Sequence, residues 1–135
     1  MDDWSYSITC FCVINIIFAL GHVTAKPLDD ISFWLLLIAG VSVGIMFSLI
    51  TYESQSIWCS ALVHAVWNAC ISGGLIDIGG QSSENAVYSY ILNLNSPIIT
   101  GGNYGIETSA IAILGYFIVG LIAWLSIRKH KFITN

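Results

Sequence analysis

Charged residues fall so unevenly along this chain that they dictate its environment. They cluster at Asp2-Asp3, Lys26, Asp29-Asp30, Glu53, Asp77, Glu84, Glu107 and the tail Arg128-Lys129…Lys131. Between them lie uncharged runs at 4–25, 31–52, 54–76, 85–106 and 108–127. Each is close to the ~20 residues that a helix needs to cross ~30 Å of hydrocarbon. Only 9% of the 135 residues are charged and 56% are hydrophobic, whereas a soluble domain carries about 25% charged residues. The chain therefore reads as an integral membrane protein whose first partner is the lipid bilayer. Its net charge of -4 is spread over loops and forms no patch, so nucleic acid is not an expected partner. Cys10, Cys12, Cys59 and Cys70 all lie in apolar runs and read as small apolar fillers, not a disulfide framework. The start, Met-Asp-Asp-Trp, lacks the basic region of a secretory signal, so the first run is expected to be retained.

The expected fold is all-α: a polytopic membrane helix bundle of about four transmembrane helices, a single domain over residues 1–135. The first helix covers 5–24 and stops at Lys26-Pro27, because proline cannot continue the hydrogen-bond ladder. The second begins near Ser32, with Asp29 and Asp30 favourable at its positive end, and runs to about Thr51. Gly40 and Gly44 give it a small-residue face that lets another helix approach. The third spans about Ser56 to Ile76, with Trp58 as an interfacial anchor. The segment 77–107 is too polar for a lipid-exposed span and reads as a Gly/Asn-rich loop, with a short interfacial helix expected over 85–92. The last helix runs from about Thr108 to Ile127. The basic residues behind it favour a cytoplasmic C-terminus, in a bacterial cell membrane.

Against this apolar background three side chains stand out: His22, His64 and Asn68. A polar or ionisable group inside a bilayer costs roughly 2.5–3.5 kcal/mol on insertion scales. His64 and Asn68 are four residues apart, one turn along the same helical face. An imidazole and a carboxamide so placed can hold a water or polarise a carbonyl, as an oxyanion hole does. His22 is positioned to orient a water or move a proton. The plainer reading makes each histidine a structural donor to a neighbouring helix, a bond worth about 0.6 kcal/mol on average. Hydrolysis also needs a base, and the uncharged runs hold no carboxylate. Glu53, between the second and third helices, or Glu107, ahead of the fourth, could approach a polar cavity as that base, yet both are better explained as solvated loop charges or a helix-start acid. His130, in the basic tail, reads as solvated.

At these residues the sequence resembles the CPBP family, the CAAX-protease and bacteriocin-processing intramembrane endopeptidases, also called ABI. Phe18…His22 matches its F-x-x-x-H motif and His64…Asn68 its H-x-x-x-N motif. The stretch from Gly44-Ile45-Met46-Phe47-Ser48 through Ser56 to His64 looks like the family's approach to the last motif, and Gly101-Gly102-Asn103-Tyr104-Gly105-Ile106-Glu107-Thr108-Ser109 is similar to a run found in bacterial members. The resemblance implies an intramembrane endopeptidase acting on prenylated CAAX-like peptides or on bacteriocin or pheromone precursors. By the same resemblance His22 helps hold the catalytic water, and His64 with Asn68 forms the oxyanion site. The family's E-E-x-x-x-R motif, whose glutamate is the proposed base, has no counterpart in these 135 residues. The expectation is therefore the C-terminal part of such a protease, truncated and inactive alone. No cofactor is assigned. The family debate leaves zinc open, but zinc wants three or four protein ligands and the helices offer no carboxylate.

Two other classes compete with the enzyme. A non-enzymatic bacteriocin self-immunity protein of the same fold would need no glutamate. A small transporter or channel component would line a path with these polar groups, yet the chain has neither an intramembrane charge nor a repeat.

Overall fold

The computed structural model describes residues 16–17, 20–21, 29–80 and 86–133. Of the first apolar run, Ile16, Ile17, Leu20 and Gly21 are helical; Phe18 and His22 lie outside the described residues.

Helix α1 spans Asp30–Ser54 and ends at Gln55, the one described non-glycine residue with a left-handed backbone (φ 53°). Its serines do not leave hydroxyls orphaned in an apolar layer. Ser42, Ser48 and Ser54 each donate to the carbonyl one turn back, of Ile38, Gly44 and Ile50, at 2.7–2.9 Å, the usual way such residues are tolerated mid-helix. Leu36, Ala39, Gly40, Gly44 and Met46 face inward. Helix α2, Ile57–Trp67, follows a tight turn. Ser56 caps it by accepting from the Trp58 amide at 3.3 Å. The hydroxyls of Thr51 and Ser60 lie 2.7 Å apart and tie α2 back to α1.

The third helix was expected to continue to Ile76. It ends earlier, widening into one π-helical turn over Asn68–Ser72. Gly73 closes that turn. A Cβ there would sit 2.9 Å from the Ala69 carbonyl oxygen, so only glycine fits. The chain then enters strand β1, Ile76–Gly79, which pairs in parallel with β2, Tyr88–Ile91, in register Ile76↔Tyr88 to Gly79↔Ile91. This corrects two expectations: the molecule is mostly helical but not all-α, and the interfacial helix over 85–92 is a strand over its described core. The run Val-Tyr-Ser-Tyr-Ile favours a pleated surface. The Tyr88 and Leu92 amides donate to the Leu75 and Gly79 carbonyls, partners that no local reading supplies. Tyr88 and Tyr90 stay exposed.

A single helical turn α3, Pro97–Thr100, leads into the glycine-rich segment and a 3₁₀ turn at Ile106–Thr108. Helix α4, Ala110–Ile133, completes the chain and extends well past the expected Ile127. Two described helices, Asp30–Ser54 and Ala110–His130, are long and apolar enough to cross a membrane, and Ile57–Ile71 is a shorter apolar helix. Helices α1 and α4 make the most extensive packing contact and run in the same direction. Asn103, ahead of α4, bonds Ser32 near the start of α1, and Ser126 near the end of α4 bonds Glu53 near the end of α1. Gly120 of α4 lies against α1: a Cβ there would sit 3.5 Å from Leu49 and 3.9 Å from the Met46 backbone. Gly40 and Gly44 of α1 are buried.

Candidate functional site

The polar segment behaves as a knot that delivers side chains into the helical layer. Gly101 adopts φ 82°, and a Cβ there would overlap the Gly105 carbonyl. This tight crossing allows the fully buried Thr108 hydroxyl to donate to the Gly101 carbonyl at 2.8 Å. On the opposite side the Asn103 amide donates to the buried Ser32 hydroxyl at 2.9 Å, and its side chain donates to Asp29 at 3.2 Å. The knot is thus fastened to the first turn of α1. It presents Tyr104, Glu107 and Thr108 to a cavity of about 80 Å³, room for several waters. Leu36, Ala39, Gly40, Val43, Met46 and Phe47 of α1 form the apolar wall; Val63, His64, Trp67 and Asn68 close it from α2, and Tyr116 from α4.

The structure brings His64 and Asn68 together in this cavity. The Asn68 amide nitrogen lies 3.1 Å from His64 Nε2. An amide NH₂ only donates, so Nε2 accepts and the proton of the neutral ring sits on Nδ1. The second Asn68 N–H remains to meet an oxygen in the cavity. The His64 ring packs edge-on against Phe47, centroids 5.3 Å apart, which fixes its plane. Asn68 is also the first residue of the π-helical turn, and such turns inside helices recur at functional sites. His22, the third expected site residue, lies outside the described residues.

Sequence reasoning favours a solvated or helix-start role for Glu107 over a place at a polar cavity; the structure puts it at the cavity. Glu107 lines the cavity. Its Oε2 accepts from the Trp67 indole N–H at 3.4 Å, and its backbone carbonyl accepts from the Tyr116 hydroxyl at 3.0 Å. The Trp67 and Tyr116 rings meet edge-to-face at 6.1 Å, so α2, α4 and the knot converge on this carboxylate. The helix-start role belongs to Ser109, which accepts from the Ala112 amide at 3.1 Å. Glu53 does not line the cavity; it accepts from Ser126 at 2.8 Å. Burial, and next the negative charge of Glu107, hold the Tyr104 hydroxyl above its ordinary pKa, so it is a neutral O–H donor at physiological pH. Among the described residues no three of His, Cys, Asp and Glu come together as a metal-binding group.

The family model of the type II CAAX prenyl endopeptidase Rce1-like proteins matches residues 1–70, 70 of the 135. The chain belongs to this family. That membership agrees with the CPBP resemblance carried by Phe18…His22 and His64…Asn68. No curated protein and no solved structure matches the chain. The matched residues of this Rce1-like chain include His22, His64 and Asn68 but stop at Cys70, so Tyr104, Glu107 and Tyr116 reach the cavity from beyond them.

Proposed function

We propose that the chain, against the expectation that it is inactive alone, is an intramembrane endopeptidase of the CAAX-processing type, cleaving a prenylated CAAX-like peptide or an apolar precursor peptide within the bilayer. The observation that carries this reading is the His64–Asn68 pair, bonded at 3.1 Å and aimed into a cavity among apolar helices, in a chain of the Rce1-like family. A peptide bond entering the cavity places its carbonyl oxygen against the Asn68 N–H. As water adds to the carbonyl carbon, negative charge gathers on that oxygen. A donor already oriented for it, away from bulk water, favours the tetrahedral state over the flat amide. His64 accepts from the Asn68 amide and so orients it toward the substrate carbonyl. His22 is proposed to hold the attacking water. The apolar wall from Leu36 to Phe47 suits a lipidated or hydrophobic peptide, which reaches the site laterally from the bilayer.

The test is cleavage of a fluorogenic prenylated peptide by the chain in liposomes, beside His22→Ala, His64→Ala and Asn68→Ala. Loss of turnover in all three supports the reading. Wild-type liposomes that leave the peptide intact, while the chain still confers protection against a bacteriocin in cells, would replace it with the non-enzymatic immunity reading.

A further inference from the structure

Among the described residues Glu107 is the one carboxylate in the cavity wall. Its place is not accidental to the fold. Thr108, next to it, is locked by bonds to the Gly101 and Gly105 carbonyls; the Glu107 carbonyl accepts from the Tyr116 hydroxyl, and Glu107 Oε2 accepts from the indole of Trp67. Trp67 directly precedes Asn68 and stands three residues beyond His64, so the carboxylate lies beside the helical turn that carries the pair. Helix α4 does not need it as a cap, because Ser109 serves there. The half-buried carboxylate shares the cavity wall with His64 and Asn68.

We propose that Glu107 is the base that activates water in this cavity. The inference rests on the endopeptidase reading above and adds a catalytic group from outside the matched residues. The carboxylate takes a proton from a cavity water as the water oxygen bonds to the peptide carbonyl carbon. The carbonyl π pair moves onto its oxygen, where the Asn68 N–H receives it. The C–N bond then breaks as the oxyanion re-forms the carbonyl. The proton held by Glu107 passes to the leaving nitrogen, so the products are a carboxylic acid and an amine and the glutamate returns to its starting state. Atoms and electrons balance with water as the only co-reactant.

Glu107→Gln separates this role from a structural one, because the amide oxygen still accepts from Trp67 but cannot take the proton. In the full chain in liposomes, acting on the fluorogenic prenylated peptide, Glu107→Gln is expected to lower kcat by about 100-fold or more with KM little changed. Glu107→Asp, which keeps a carboxylate, should fall between, and Glu53→Gln should match wild type. Wild-type turnover in Glu107→Gln, with His64→Ala inactive, overturns the inference and leaves the endopeptidase reading standing. An inactive wild-type chain overturns both. If Glu107→Gln and Glu107→Asp both unfold by thermal melting, Glu107 is a structural residue and the inference fails.

Discussion

At the scale of single residues, the Asn68 amide decides where the His64 proton sits. A donor 3.1 Å from Nε2 favours the Nδ1–H tautomer of the neutral ring. Asn68→Ala should therefore lower kcat more than it raises KM. Removal of one oxyanion donor costs about 100- to 1000-fold, and initial rates over a range of peptide concentrations check it. The pair was legible in the sequence because its partners are four residues apart on one helix. Glu107 was not. Its indole partner lies 40 residues away, and in one dimension an acid just ahead of an apolar run looks like a favourable helix start. What hid it was the backward fold of the glycine-rich knot, set by the Gly101–Thr108 and Asn103–Ser32 contacts.

At the scale of elements, α1 and α4 follow from apolar runs of spanning length, and the start of α2 follows from the Ser56 cap. The end of α2 does not. Its apolar composition continues to Ile76, but a glycine that closes a π turn overrides the pattern. Gly73→Ala forces a Cβ to within 2.9 Å of the Ala69 carbonyl. That change should rebuild the turn carrying Asn68, lower the melting temperature and reduce turnover together, by thermal melting and peptide cleavage on one preparation. Gly101→Ala should be more severe. The backbone there is left-handed, worth roughly 1–2 kcal/mol against a non-glycine residue, and the new Cβ would overlap the Gly105 carbonyl. The parallel pair β1–β2 was invisible because a strand of four residues draws its stability from a partner elsewhere in the chain, and period alone cannot find that partner.

At the scale of the whole molecule, aromatic side chains mark two levels. Trp58 opens α2 and Trp124 stands near the end of α4, where Arg128 packs 4.8 Å above its ring. Trp34, at the other end of α1, and Tyr88 and Tyr90 of β2 are likewise exposed. Trp and Tyr favour the headgroup level of a bilayer. The 20 residues from Trp34 to Glu53 span about 28 Å of helix, close to the hydrocarbon thickness. With α1 and α4 parallel, the Glu53 turn and the basic tail share one side, and the knot and strands lie toward the other. By the distribution of Lys and Arg, a fluorescent protein fused to the C-terminus should fold and fluoresce in the cytoplasm, and a periplasmic reporter fused there should stay inactive. Gly120→Leu should split the contact at Met46 and Leu49, at about 1–3 kcal/mol for overpacking, and thermal melting in detergent reads it directly.

The central claim is that His64 and Asn68 hold a peptide carbonyl while water is added to it. Its most direct test is mass spectrometry of a prenylated peptide incubated with the reconstituted chain in heavy-oxygen water. Hydrolysis at this pair should give one new carboxylate carrying a single solvent oxygen, formed by wild type and abolished by His64→Ala and Asn68→Ala. An intact peptide with the wild-type chain, or the same labelled product from both variants, would contradict it.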